Sequence, residues 1–539
     1  MKEVRPEAAA SSDMLDSWKA IAGYLHRSVR TVRRWELVRR LPVHRIPGAG
    51  KPGVYALKSE LGAWWKGMRP HLVEEVHEVV PHPQTPSIAV LPFANLSADK
   101  ENEYFSDGLS DEIITVLTRV RGLRVTARTS SFAFRGKQED VRKIGARLGV
   151  RTLVEGSVQR SGGRIRVSAQ LVDASNGFHL WSDHFDRELG DVFAIQDEIS
   201  RAIAGALEVQ LAPRPAGRRT VNLEVYHHWL KGRYFQQYEN LESLAKCRVH
   251  FEQAIALDPS FPQPYLALAE LGWAGAESGA ARPRDLGAQG WAAIQRAFEL
   301  DDSLGEAYAF SGAYRGWMDY DWKGAEADFV RARALTPASQ QVHWLRALNC
   351  LVPTGRLAEA EQEMERAVEL DPLSPFAYTF LARVLLWERQ FDRAQTKIEA
   401  ALELRPDYGL ALWYRGASFW FQGRMEEAVG VWRAAMQKTG PNSGMIGAIG
   451  MGLGYLGRQA EARALLAELE AAACERYVSP ISRAQIHLSL GEVDAAFEWL
   501  DRAVDEHDPH ILDLPCKPIW DGLRPDPRFA ALLRKMRLA

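Results

Sequence analysis

What the sequence has little of narrows it first. Four cysteines occur in 539 residues, Cys247, Cys350, Cys474 and Cys516, scattered and without a CxxC pair. That excludes a disulfide framework and a zinc ribbon, and it predicts a cytoplasmic, reducing location. No run of about 18 apolar residues is present, so no membrane-spanning helix is expected. The first residues, MKEVRPEAAASSD, lack the apolar stretch of a signal peptide. A GxxxxGKS/T phosphate loop, a GxSxG nucleophile elbow and an HExxH zinc helix are all missing. His227-His228 and His507…His510 are pairs with no third ligand at useful spacing. Gly450-Met451-Gly452-Leu453-Gly454 looks like part of a nucleotide loop, but no strand precedes it. These absences predict a protein that is not an enzyme and holds no cofactor.

Net charge is small too, −2, but it hides an asymmetry. Residues 13–69 carry twelve Lys/Arg against four Asp/Glu, and the rest of the chain is acidic on balance. A basic module on an acidic body implies that only the first module meets a polyanion.

Residues 1–15 read as a disordered arm. Ser17 is placed to cap a helix over 18–25, with Trp18, Ile21, Ala22 and Leu25 on one face. After the His26-Arg27 turn, Ser28 is placed to cap a second helix. Val29, Val32 and Trp35 (or Leu37) face inward there, which leaves Arg30, Thr31, Arg33 and Arg34 outward. Helix, tight turn and basic second helix form the geometry that enters a major groove. Arginine pairs bidentately with guanine, and threonine contacts base or phosphate. LPVHRIPGAGKPGVYAL then reads as a hairpin wing with its tip at 47–53, and Arg45 and Lys51 are placed to touch phosphate. Ser59 is expected to cap a helix through Trp65. The candidate DNA-contacting set is Arg27, Ser28, Arg30, Thr31, Arg33, Arg34, Arg45 and Lys51. WKAIAGYLHRSVRTVRRWE, LPVHR and VYALKSELGAW resemble the MerR/excisionase type of winged helix-turn-helix, over about fifty residues (16–67). The resemblance implies binding to double-stranded DNA.

Residues 68–87 are a linker rich in Pro, His and Glu. VEEVHEVV within it is too short and too charged to span a membrane. From 88 to 211, strands at 88–93, 123–127, 152–159, 164–172 and 179–185 interleave with helices at 106–119, 141–148 and 192–207. The order predicts an α/β domain with a mixed sheet. IAVLPFANLS, YFSDGLSDEIITVL, LRVTARTSSFAF, LGVRTLVEGSVQRSGGRIRVSAQLVDA and LWSDHFDR resemble the N-terminal domain of TolB-like proteins. Asp107 and Asp111 form a conceivable carboxylate pair, but near a helix start they are expected to complement its dipole.

A linker at 212–225 precedes a repeat array at 226–510. Gly355, Gly423, Gly457 and Gly491 fit a 34-residue spacing, with Arg389 in the intervening slot. Five residues after each slot comes Ala360, Ala394, Ala428, Ala462 or Ala496. Ala332, Ala367, Ala401 and Ala435 mark a second small position, and Pro259, Pro337, Pro372 and Pro406 end units. A 34-residue unit of two helices with small residues at these places resembles the tetratricopeptide repeat. Eight units are expected between about 228 and 510, one of them degenerate near 271–305. Cys247 takes a small position in the first unit, as a packed thiol. The resemblance implies an all-α solenoid whose concave face binds a protein or peptide. Trp344, Tyr378, Trp413, Trp420 and Trp432 are expected mainly in repeat cores. Residues 511–539 end in an amphipathic helix suited to capping the last repeat.

The expected architecture is a multidomain chain: a small winged helix-turn-helix, a TolB-like α/β domain and an all-α solenoid. The expected function is DNA-binding transcription regulation, with the array recruiting a protein or joining two copies as a homodimer. The alternative is a non-enzymatic assembly scaffold with a vestigial DNA-binding head. TolB-like and repeat modules accompany nucleotide cyclase domains in related architectures, but no segment here is left over to be one.

Overall fold

The computed structural model describes residues 13–15, 17–24, 32, 36, 41–46, 53–61, 64, 85–97, 102–161, 163–188, 192–209, 222–236 and 241–538. The chain divides after Gln84 into two compact units.

In the first unit, β1 (Met14–Leu15) is followed by α1 (Trp18–Tyr24), β2 (His44–Ile46) and β3 (Gly53–Leu57). Ser17 Oγ accepts from the Ala20 amide at 3.2 Å, which fixes the start of α1 as expected. β2 and β3 pair antiparallel, Arg45 opposite Val54, on either side of the Gly/Pro-rich stretch. β1 adds to the other edge of β3 and gives the order β1-β3-β2. Met14 and Leu15 fall within the stretch expected as a disordered arm. Leu15 packs against a core of Ile21, Ala22, Val32, Leu41, Ala56 and Leu61, and that contact accounts for the extra strand. Ser59 lies inside the helical turn at 58–61, not ahead of it, and its hydroxyl donates to Asp13 at 2.6 Å.

The second unit opens with β4 (Ser87–Val90), β5 (Ala94–Asn95), α2 (Glu103–Leu117), β6 (Arg124–Val125), α3 (Arg128–Phe132) and α4 (Val141–Leu148). β7 (Thr152–Ser161), β8 (Arg164–Asp173), β9 (His179–Glu188) and α5 (Val192–Ala206) complete the α/β region. The sheet order is β6-β4-β7-β8-β9, with β5 also on β7. β6, β4, β5 and β7 run parallel, and β7-β8-β9 is an antiparallel meander, so the sheet is mixed as expected. Alternation carries β8. Ile165, Val167, Ala169 and Leu171 are fully buried, while Arg164 and Arg166 point outward onto Asp186. The short helix α3 was not anticipated.

Eight helix pairs follow among the described residues, in the number expected. They are α6 (Leu223–Gln236) with α7 (Leu241–Leu257), α8 (Gln263–Glu277) with α9 (Pro283–Leu300), and α10 (Gly305–Tyr314) with α11 (Trp322–Leu335). Then come α12 (Gln340–Arg346) with α13 (Leu357–Leu370), α14 (Pro375–Trp387) with α15 (Phe391–Leu404), and α16 (Gly409–Phe421) with α17 (Met425–Thr439). The last two are α18 (Ser443–Tyr455) with α19 (Gln459–Ala472) and α20 (Pro480–Ser489) with α21 (Val493–Asp505). The pair expected to be degenerate is a regular one whose second helix has 18 residues. Ala360, Ala394, Ala428, Ala462 and Ala496 are all fully buried, so helices approach closely at the periodic small positions. Gly355, Gly423, Gly457 and Gly491 have φ between +74° and +78°; Arg389 holds the same turn at +63° without glycine's freedom. Gly450, Gly452 and Gly454 lie inside α18, where added Cβ atoms would meet Ile486, Val429 and Ser489 within 2.6 Å.

Two expected boundaries shift. The linker at 212–225 ends early, because α6 begins at Leu223 and Val225 is fully buried. The α/β region also does not close on itself. Its core of Val90, Leu109, Ile113, Ile165 and Ile199 continues into Tyr226, Trp229 and Leu230 of α6 and Phe251 of α7. The apolar face of α2 is wider than the sheet covers, and the first helix pair completes it.

Candidate functional site

Of the eight side chains expected at DNA, Arg45 alone falls among the described residues. Arg27, Ser28, Arg30, Thr31, Arg33, Arg34 and Lys51 lie outside them. Val32, expected to face inward, is fully buried. Arg45 sits on β2 with its side chain 55% exposed, and it pairs with Glu36 at 2.5 Å. Its guanidinium lies 6.0 Å from the Trp18 ring centroid. A phosphate reaching Arg45 therefore competes with a carboxylate already in place. Beside it, His44 stacks on Tyr55 and meets Glu60 at 2.6 Å.

Asp107 and Asp111 do not sit at a helix start. α2 begins at Glu103, a turn earlier, and both carboxylates are buried, 3% and 7% exposed. Arg135 pairs with Asp107 and, at 2.8 Å, with Glu103. Asp111 takes Arg233 of α6 at 3.1 Å and Arg128 of α3 at 3.7 Å. Burial outweighs the neighbouring Arg135 and lifts the Asp107 carboxyl above its ordinary range. Asp111 thus joins the α/β region to the array, whereas the Asp107 pair lies within the α/β region. Trp229 Nε1 donates to Glu112 at 3.0 Å across the same seam.

A second tie spans 241 positions. The Ser130 amide and hydroxyl donate to Asp371 at 3.0 and 2.5 Å, and the Ala127 amide donates to the Leu370 carbonyl at 2.8 Å. Asp371 is wholly buried, and burial pushes its carboxyl up to about 6 against those hydrogen bonds. A third tie runs from the Ala338 amide to the Thr118 carbonyl, at 3.2 Å.

The face lined by the first helices of the pairs, expected to be open to a peptide, is occupied by the chain itself. Residues 506–538 cap the eighth pair and also cross back over that face. Trp317 Nε1 donates to the His507 carbonyl at 2.6 Å, and Tyr320 to Val504 at 3.2 Å. Arg383 of α14 pairs with Asp513 at 2.5 Å, both about 95% buried. Lys517 lies 5.7 and 5.2 Å from the ring centroids of Trp387 and Trp413. Leu514 and Trp520 are buried in the array core, and Arg389 reaches Asp521 at 2.5 Å. A final helix, α22 (Pro527–Lys535), sets Phe529 and Leu532 into the same core, and Trp322 Nε1 donates to the Met536 carbonyl at 2.8 Å. Trp344 and Trp432 are repeat-core residues as expected, whereas Trp413 and Trp420 border the segment.

Cys247 is fully buried, and burial raises its thiol to about 11, which fits a packed side chain. Among the described residues no group of three or more His, Cys, Asp or Glu is arranged to hold a metal ion. Nor is any described helix long and apolar enough to cross a membrane.

Residues 84–202 match the second domain of HilA/YgeH-like transcriptional regulators. Residues 344–372 and 381–443 match tetratricopeptide repeat families. Over 190 residues the chain is 43% identical to a protein of Rhizobium meliloti (strain 1021) named "Putative adenylate cyclase 3", covering 34% of this chain and 32% of that protein. Over 143 residues it is 28% identical to tetratricopeptide repeat protein 13 of Homo sapiens, covering 26% and 16%. The chain thus spans about a third or less of these relatives' length. A tetratricopeptide repeat protein from Parabacteroides merdae ATCC 43184 superposes over all of its own length and 50% of this chain, with 13% identity and a TM-score of 0.36. TolB from Acinetobacter baumannii aligns over 23% of this chain and 29% of its own, with 20% identity and a TM-score of 0.18. The chain combines a HilA/YgeH-like transcriptional regulator domain with tetratricopeptide repeats.

Proposed function

We propose that this is a cytoplasmic, DNA-binding transcriptional regulator without catalytic activity, whose repeats engage a protein partner or a second copy. The match of residues 84–202 to a transcriptional regulator domain carries the reading. The basic head at 16–67 supplies the MerR/excisionase-like winged element, with Arg27, Ser28, Arg30, Thr31, Arg33 and Arg34 toward the groove and Arg45 and Lys51 toward phosphate. The middle region is the TolB-like domain that joins head to array. Dimerisation strengthens a weak single head through avidity. Fluorescence anisotropy of the full chain on duplex DNA, between about 50 and 200 mM salt, tests it. Affinity is expected to fall steeply with salt. An affinity that does not respond to salt sinks the reading.

The Glu36–Arg45 pair favours a second reading, a scaffold whose head no longer binds DNA. Replacing Arg30, Arg33 and Arg34 by alanine separates the two. A regulator loses its in-cell effect on transcription, and a scaffold keeps its phenotype.

A further inference from the structure

The proposed function gives the array a partner but no place for it, and the groove is already occupied; three observations bear on what else enters it. First, the resident segment leaves no room at its centre. Beneath Lys517 and Ile519, against Trp413, Trp420 and Trp432, the remaining void is about 10 Å³. A second occupant and this segment therefore exclude one another.

Second, the anchors have the chemistry of recognition. A carboxylate (Asp513) meets a buried guanidinium (Arg383), an ammonium (Lys517) lies over two indoles, and a large ring (Trp520) fills an apolar seat. Buried ion pairs add little net stability over apolar packing, but they penalise a wrong partner or register severely.

Third, the fit is incomplete. Arg383 Nε, Trp387 Nε1 and Trp420 Nε1 are buried donors with no acceptor among the described residues. Each leaves its desolvation uncompensated, so an occupant that supplies acceptors there binds better than the resident one. The segment is also tethered on both sides, by α21 and by α22, so its release is a local loop opening that leaves the pairs standing.

We propose that this groove recognises a protein segment folded, like the resident one, as two short 3-10 turns and bearing an acid, a lysine and a large apolar side chain at the spacing of Asp513, Lys517 and Trp520, and that such a partner enters by replacing residues 508–523. This rests on the reading that the array engages a protein partner, and it names the face and the chemistry. An additional acceptor facing the Trp387 or Trp420 indole gives the incoming segment its advantage over the resident one.

The test uses a fluorescent peptide with the sequence of residues 508–523, the full-length chain, and hydrogen exchange. The parent chain binds the peptide weakly, because the tethered copy competes at high effective concentration. Lys517→Glu in the chain loosens the resident copy and raises peptide affinity by about tenfold or more. Adding Arg383→Ala to that variant abolishes the gain. In the parent chain, amides of 509–523 exchange about tenfold or more faster than those of α14 and α16. Exchange as slow as in those helices overturns the proposal on its own, whatever the variants do. Absence of peptide binding to a folded Lys517→Glu chain overturns it as well. Because the probe is the chain's own sequence, neither result depends on DNA binding or on a cellular partner. Loss of those activities would instead count against the regulator reading.

Discussion

The repeat array meets non-repeat sequence along two seams, and they are built to different standards. At the first seam, the α/β region and the first helix pair share one apolar core, and the buried Asp111 of α2 faces Arg233 of α6. At the second, residues 506–538 lie on the first helices with a buried charge pair and several donors left unsatisfied. Burial is comparable, and each seam leaves buried polar atoms unpaired, Ser106 Oγ, Arg128 Nε and Ser131 Oγ at the first. What differs is that the first seam is one continuous apolar core between two folded regions, whereas the second is a single crossing segment. The difference marks the first seam as permanent structure and the second as a place where one occupant gives way to another.

Two tryptophans put that contrast to its hardest trial. Trp229→Ala removes a ring packed on Phe251 and Phe261, and is expected to cost about 3–5 kcal/mol. The loss is global, so calorimetry shows the α/β region and the first pairs melting earlier together. Trp520→Ala deletes a ring that is also buried, but its penalty is capped by the free energy of local opening. It therefore lowers the global midpoint less and speeds exchange at 509–523. Equal drops in midpoint for the two variants would erase the distinction between the seams.

A smaller effect belongs to Asp371. Its carboxyl is raised to about 6 in the folded chain, above the ordinary unfolded value, so the group's contribution is present at low pH and is lost as pH rises through about 6. The chain is expected to be more resistant to urea at pH 5 than at pH 7.5 from this group, by on the order of 1–3 kcal/mol. Asp371→Asn flattens that difference. A pH dependence unchanged by the substitution would remove Asp371 from the seam's energetics.

The smallest stability effect is at the head. Arg45→Ala breaks a half-exposed ion pair and changes stability by less than about 1 kcal/mol. Its effect on DNA is larger. Affinity falls evenly across sequences, and the salt slope flattens by about one unit. Glu36→Ala, which frees the same guanidinium, is expected to strengthen binding in the same assay.

What could be read from the sequence is what repeats over short range. The 34-residue spacing marked Gly355, Gly423, Gly457, Gly491 and the Arg389 slot as equivalent, and all five adopt the same left-handed conformation. Tyr320 takes the matching turn 35 residues before Gly355, at φ +50°, and no glycine announced it. The strands of the meander were visible through alternation. The seams were not, because Asp111 and Arg233 are 122 positions apart and Ser130 and Asp371 are 241 apart. No local period links such partners. The crossing segment stayed hidden for a related reason. Asp513, Lys517 and Trp520 are spaced four and three apart, as on one face of an α-helix, yet the segment folds as two short 3-10 helices, so the spacing gives no sign of the groove they enter. At the head the pattern reached α1 and the hairpin, whereas the arginine-bearing stretch lies outside the described residues.

The ties from Ser130 to Asp371 and from Thr118 to Ala338 also have a mechanical meaning. A solenoid whose units touch only their neighbours bends like a spring. Here the α/β region bridges from the first pair to the loops after the third and fourth, and so acts as a splint along half the array. Among the described residues, the later pairs are braced by the crossing segment. Taking that brace out softens one half of the coil and leaves the other stiff, so a strain applied at the far end is absorbed before it reaches the sheet.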